Sequence, residues 1–102
     1  MTYIRINDNM YPASIRGHMK DKEWAERESK AITLEMTYEE AMATFVDDLD
    51  WSIAYEDGEV SEVYDNSEFS VAGPITDNRN GTVTVKMGKP TDGELLAIIM
   101  GG

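Results

Sequence analysis

Among side chains able to carry chemistry, this 102-residue chain has twenty carboxylates and one histidine, with no cysteine. Without cysteine there is no disulfide, no thiol nucleophile and no thiolate metal site. His18 would need carboxylates for every other ligand of a zinc ion, an uncommon set. Its place beside Met19 in a strand-like stretch reads instead as an ordinary surface or half-buried imidazole. A Ser-His-Asp arrangement finds no Gly-x-Ser-x-Gly elbow to support it. Neither a Gly-x-x-x-x-Gly-Lys phosphate loop nor a Gly-x-Gly-x-x-Gly fingerprint occurs. Two carboxylates can act as the acid and base of a glycosidase, but among twenty acids in so short a chain some close pair arises by number alone. The segments DDLD (47–50) and EDGE (56–59) suggest calcium, yet an EF-hand register starting at Asp48 puts Ser52 and Ile53 where a ligand and a glycine are needed. A domain this small also has little room for a deep cleft. The expectation is a protein that is not an enzyme and uses no cofactor or metal.

What remains is charge, and its placement. Residues 1–30 and 79–102 each carry a net charge of +1, whereas 31–78 hold thirteen Asp and Glu with no Lys or Arg. Such a field repels nucleic-acid backbone and anionic lipid and attracts cationic surfaces. The candidate contact residues are Asp47, Asp48, Asp50, Glu56, Asp57, Glu59, Glu62, Asp65 and Glu68. The bland reading is a solvated face that maintains solubility. The sharper one is that these carboxylates stand where a partner expects phosphates. Duplex DNA carries one charge per ~1.7 Å of axis, while side chains on one face of a strand recur only every ~6.7 Å. Two neighbouring elements would therefore have to contribute, and Glu56 to Glu68 lie around an expected hairpin. Trp51, Tyr55 and Tyr64 could anchor such a surface, though aromatics at strand spacing are more often core.

The elements that must position these residues follow from periodicity. Alternation predicts strands at 3–6, 13–19, 30–36, 51–56, 60–65, 68–76 and 82–87, with NDNMYP (7–12) as a turn. Trp51, Ile53 and Tyr55 share one face, as do Phe69, Val71 and Ile75. Asp57-Gly58 and Asn80-Gly81 mark hairpins, and Gly73-Pro74 marks a bulge or an edge position. Residues 20–30 fit either a helix or a solvated connection with Trp24 folded back on the core. Thr37 and Glu40 form a capping pattern ahead of a helix at 38–47, with Ala41, Met42, Phe45, Val46 and Leu49 at helical spacing. A second Thr-x-x-Glu precedes a helix at 92–100. The expected architecture is one α+β domain over 1–102, an antiparallel sheet of six or seven short strands with one or two helices packed on it. With no secretory signal pattern, and an apolar run (95–100) too short to span a bilayer, a soluble cytoplasmic protein is expected.

Three blocks, MYPASIRGHMKDKEWAERESKAITLEM (10–36), FVDDLDWSIAY (45–55) and DNSEFSVAGPITDNRNGTVTVKMGKP (65–90), resemble small acidic proteins of phages and prophages of Firmicutes. They are similar to the type II-A anti-CRISPR proteins, and some such phage proteins lie near tail genes. The resemblance implies an inhibitor that binds a type II RNA-guided DNA nuclease in the bacterial host cytoplasm. Its acidic face would meet a cationic protein surface, without direct nucleic-acid or membrane contact. The alternative it implies is a minor structural or assembly component of a phage tail. It transfers no individual functional residue.

Overall fold

The computed structural model describes the backbone of residues 1–101 and the side chains of residues 1–96. Seven strands and two helices follow in the order β1 (Thr2–Ile6), β2 (Asn9–Asp21), β3 (Arg27–Glu35), α1 (Tyr38–Thr44), β4 (Trp51–Asp57), β5 (Val60–Asp65), β6 (Val71–Asp77), β7 (Thr82–Gly88) and α2 (Asp92–Gly101). All strand pairs are antiparallel, and the sheet order is β5-β4-β1-β2-β3-β7-β6. The α+β architecture matches expectation.

The expected turn over 7–12 is shorter than its composition suggests. Asn7, at φ 56°, and Asp8 make the whole loop, because Asn tolerates the left-handed region. Asn9 to Pro12 pair with β1, and from Ala13 onward β2 pairs with β3. A proline in a central strand is explained by this change of partner. The hairpin closes at Ile6 and Asn9, so ladder alternation turns the Pro12 nitrogen away from β1, at a level where β3 has not yet joined β2. Its missing N–H therefore costs no ladder bond.

One buried cluster joins Ile4, Ile6, Trp51 and Ile53 from one half of the sheet to Ile32, Leu34, Val83, Val85 and Met87 from the other. The long β2 thus bends the sheet over a shared core, as strands that switch partners do at the corners of folded sheets. At the centre, Trp51 is 1% exposed, its indole N–H donates to the Phe69 carbonyl at 3.2 Å, and the two rings meet edge to face at 6.4 Å. Phe69 does this from the loop before β6 rather than from a strand, a correction to the expected strand at 68–76. Helix α1 ends at Thr44, short of the expected 47. Ala41 and Phe45 are buried against the sheet, but Met42 and Val46 are exposed, so the apolar stripe is narrower than helical spacing implied. The Thr37 cap forms, with its hydroxyl accepting the Glu40 N–H at 3.1 Å.

Residues 22–26 are a connection, not a helix, and Trp24 folds back. Its indole lies against Gly73 and Gly88, with the Arg27 guanidinium 4.5 Å from its ring centre. Gly73 belongs to the β6 bulge, where pairing with β7 shifts between Ala72 and Ile75. A Cβ placed there would sit 2.5 Å from the Trp24 ring. Gly73→Ala should therefore destabilise by about 1–3 kcal/mol through overpacking, and Trp24→Ala should remove most of that penalty in the double variant. Urea unfolding of the four proteins measures this, and additive effects would show that the indole is not what the glycine accommodates.

Arg27, 8% exposed, grips Glu94 through both terminal guanidinium nitrogens at 2.7 and 3.2 Å and donates to the Trp24 and Lys89 carbonyls. Glu94 also accepts the Thr91 N–H at 2.8 Å while the Thr91 hydroxyl accepts the Glu94 N–H at 3.2 Å, the capping box expected from sequence. Arg27 first, and then the Thr91 N–H, lower the Glu94 carboxyl to about 2. A depressed carboxylate stabilises the fold above its unfolded value, and that contribution fades as pH falls through the folded value. The tether of α2 should hold above about 4.5 and release between there and about 2. A carboxyl NMR titration of Glu94 should find its midpoint near 2; a midpoint in the ordinary glutamate range would contradict the clamp. Asp21, buried at the end of β2 opposite Arg27, is lowered by Lys86 at 2.9 Å, with help from the Ser29 hydroxyl at 2.9 Å, and so contributes in the same direction.

Candidate functional site

The nine candidate acids are all exposed, but the fold divides them. Although 31–78 contain no Lys or Arg, β3 and β7 bring cations across to the loop before β6. Glu68 lies 3.6 Å from Lys89, which also pairs with Glu28 at 3.1 Å. Glu28 is the main cause holding the Lys89 ammonium above its ordinary value. Lys30 hydrogen-bonds the Asn66 side chain and, like Lys89, lies over the Phe69 ring, at 4.6 and 5.2 Å respectively. Burial lowers the Lys30 pKa. Glu68 is thus answered within the fold.

Asp47 and Asp48 work on the β6 side. The Asp47 carboxylate accepts the Ala72 N–H at 2.8 Å, and the Asp48 N–H donates to the Ser70 carbonyl at 2.8 Å. Asp48 takes a left-handed φ of 62° to do so, a conformation that Asp tolerates better than most residues. Asp65 accepts both the N–H and the hydroxyl of Ser67, at 3.0 and 2.6 Å, and these bonds lower its pKa. Asp50 and Asp65 line a shallow depression of about 420 Å³ together with Arg5. Four of the nine, Asp47, Asp48, Asp65 and Glu68, therefore make bonds within the fold, whereas Asp50 only shares a depression with Arg5, as Glu62 does with Lys30.

The remaining four, Glu56, Asp57, Glu59 and Glu62, stand at the end of the β4–β5 hairpin. Its loop is Gly58-Glu59, closed by the Asp57–Val60 pair, and Gly58 supplies the left-handed φ of 62° that the turn requires. None of the four has a Lys or Arg within ion-pair distance among the described residues. They do not share one face. Strand alternation puts Asp57 and Glu62 beside Tyr55, Tyr64 and Val60, and Glu56 on the opposite face with Val63. The single shared acidic patch expected from sequence is thus replaced by a charged hairpin end with carboxylates on both sides. Tyr64 donates to Glu62 at 2.6 Å, and that carboxylate raises the phenol pKa. Tyr55 and Tyr64 meet edge to face at 5.8 Å. Both are about half exposed, so they belong to the surface rather than the core, unlike Trp51.

The base of the hairpin is fixed. Asn66, 3% exposed, donates its N–H to the Trp51 carbonyl at 2.8 Å and its side-chain amide to the Tyr64 carbonyl at 3.0 Å. No sequence signal separated Asn66 from the surrounding polar residues, because its role depends on Lys30 reaching it from a distant strand. The two sheet edges differ sharply. At β6, Pro74, the bulge and the Asp47–Ala72 bond interrupt the free backbone. At β5 all six residues are exposed, paired with β4 in unbroken register, and contain no proline or lysine.

His18 lies in β2 opposite Ser29. No group of three or more His, Asp or Glu is close enough to hold a metal ion among the described residues. A depression of about 880 Å³ beside Tyr11, Ile15 and Leu34 has Glu35 as the single carboxylate among the described residues of its lining. No helix among the described residues is long and apolar enough to cross a membrane. Comparison with family models, with curated proteins and with solved structures finds no match to this chain.

Proposed function

We propose that the chain is a small inhibitor protein of the anti-CRISPR kind, binding a type II RNA-guided DNA nuclease in the bacterial cytoplasm. It places the β4–β5 hairpin end in a cationic groove that otherwise holds nucleic acid. One observation carries this reading: the carboxylates of Glu56, Asp57, Glu59 and Glu62 make no ion pair among the described residues, although the Met1 ammonium donates to the Glu56 carbonyl, and they project from both faces of an exposed hairpin. They occupy its last three rungs and the turn beyond, four successive levels ~3.4 Å apart. That is about one charge per 3.4 Å, the linear density of one strand of a duplex rather than of both. A groove that encloses a single strand would surround both faces, which a flat duplex-like patch does not require. The resemblance to type II-A anti-CRISPR proteins names the nuclease.

The test is a DNA-cleavage assay with a type II nuclease, adding the protein before and after guide loading. Inhibition that weakens steeply as salt is raised is the expected result. Full cleavage at saturating protein in every order of addition would reject the reading. A tail component is the second reading, favoured by the half-exposed Val60, Val63, Tyr55 and Tyr64 along the same edge. It requires the protein to co-purify with virions, and absence from purified particles would remove it.

A further inference from the structure

We propose that the outer edge of β5 accepts an extended, cationic segment of a protein partner as an eighth strand. This rests on the reading of the hairpin as the binding end and names how the contact is made. The Asn66 N–H on the Trp51 carbonyl fixes the parity of the β4–β5 ladder. Alternation then turns the N–H and C=O groups of Val60, Glu62 and Tyr64 toward β4, and those of Ser61, Val63 and Asp65 outward. An incoming strand meets three outward-facing residues, each with one donor and one acceptor. Open edges are ordinarily blunted by lysine, proline, bulges or a covering element. This molecule blunts β6 with Pro74, a bulge and the Asp47 carboxylate, and leaves β5 open.

Charge decides which strand fits. A segment alternating Lys or Arg with apolar residues would set its cations beside Asp57 and Glu62, or beside Glu56 and Asp65, according to register. Its apolar side chains would then fall on the other face, against Val63 or against the Tyr55–Tyr64 pair. A second copy of this chain fits less well, because β5 carries Glu62 and Asp65 and no Lys or Arg, so two paired copies would offer each other no opposite charge. The edge is open to strands and selective for cationic ones, which is how main-chain bonds supply affinity and side chains supply choice in strand addition.

The probe is a ten-residue peptide alternating Lys and Val, with a Glu–Val peptide as control. Wild-type protein should bind the first and not the second, and binding should slow amide exchange at Ser61, Val63 and Asp65. Val63→Pro removes one outward donor without touching a β4 bond, and should weaken the Lys–Val peptide at least tenfold. Binding by Val63→Pro equal to wild type would overturn the proposal. So would unslowed exchange at those three amides in the wild type, a readout independent of whether the proline variant folds. Sedimentation that finds a wild-type dimer dissolved by Val63→Pro would assign the edge to a second copy and also overturn it. Nuclease inhibition separates this from the functional reading. A Val63→Pro protein that inhibits fully removes strand addition and leaves the inhibitor standing. Peptide-induced protection without any inhibition by the wild type keeps the edge and removes the inhibitor.

Discussion

Reversing Glu56, Glu59 and Glu62 to Lys is expected to weaken nuclease inhibition by on the order of a hundredfold while leaving the unfolding midpoint nearly unchanged. The two halves of this expectation have separate origins. All three side chains are exposed, and none is ion-paired among the described residues, so the fold gives up only the Tyr64–Glu62 hydrogen bond. Surface changes of this kind are usually worth no more than about half a kcal/mol of stability each. The partner, by contrast, would meet cations where it was complementary to anions, and like-charge juxtaposition is far costlier than a lost contact. A parallel reversal of Glu39 and Glu40 on α1 changes the net charge by four units and should reduce inhibition little. Equal loss from both sets would show that net charge, and not the hairpin, attracts the partner. Dose–response curves for cleavage, beside circular dichroism melts of each protein, make the measurement.

Trp51→Ala should cost about 3–5 kcal/mol, the range for deleting a large buried aromatic. A domain of this length is stable by only about 5–15 kcal/mol, so the variant should lose from a fifth or so to nearly all of its stability. Three losses combine: the buried indole volume, the edge contact with Phe69, and the donor that satisfies the Phe69 carbonyl. Trp51→Phe keeps an aromatic and should cost less, about 1–3 kcal/mol, since a buried acceptor is still left without its partner. The functional consequence follows from position. Trp51 opens β4, and its carbonyl receives the Asn66 N–H that closes β5. Loosening it should fray the hairpin from its base, seen as faster amide exchange in residues 51–66 than in β2 and β3. Urea midpoints unchanged by Trp51→Ala would contradict this account of the core.

The strands were legible in sequence because alternation of Ile32, Leu34 and Met36, or of Trp51 and Ile53, has a direct physical cause in one-sided burial. Gly73-Pro74 was legible as a bulge and an edge because proline cannot donate to a ladder and glycine tolerates the local kink. Legibility failed where a residue's role depends on distant chain. Phe69 reads as a strand residue until Trp51 and two lysines are seen to surround it from other elements. Residues 20–30 resolve only once Gly73 and Gly88 provide flat space for Trp24. The acids show the same limit. Sequence charge marks the anionic segment but does not distinguish Glu68, paired with Lys89, or Asp47, holding the Ala72 N–H, from the four at the hairpin end that make no ion pair among the described residues. Spacing along one chain carries no information about cations contributed by another strand.

Amide hydrogen exchange of the chain, alone and bound to the nuclease, tests the central claim most directly. Protection concentrated in residues 54–65, with β6 and α1 unchanged, is the predicted footprint. Protection along β6 and α1 with residues 54–65 exchanging freely would place the contact at the guarded edge and contradict the account.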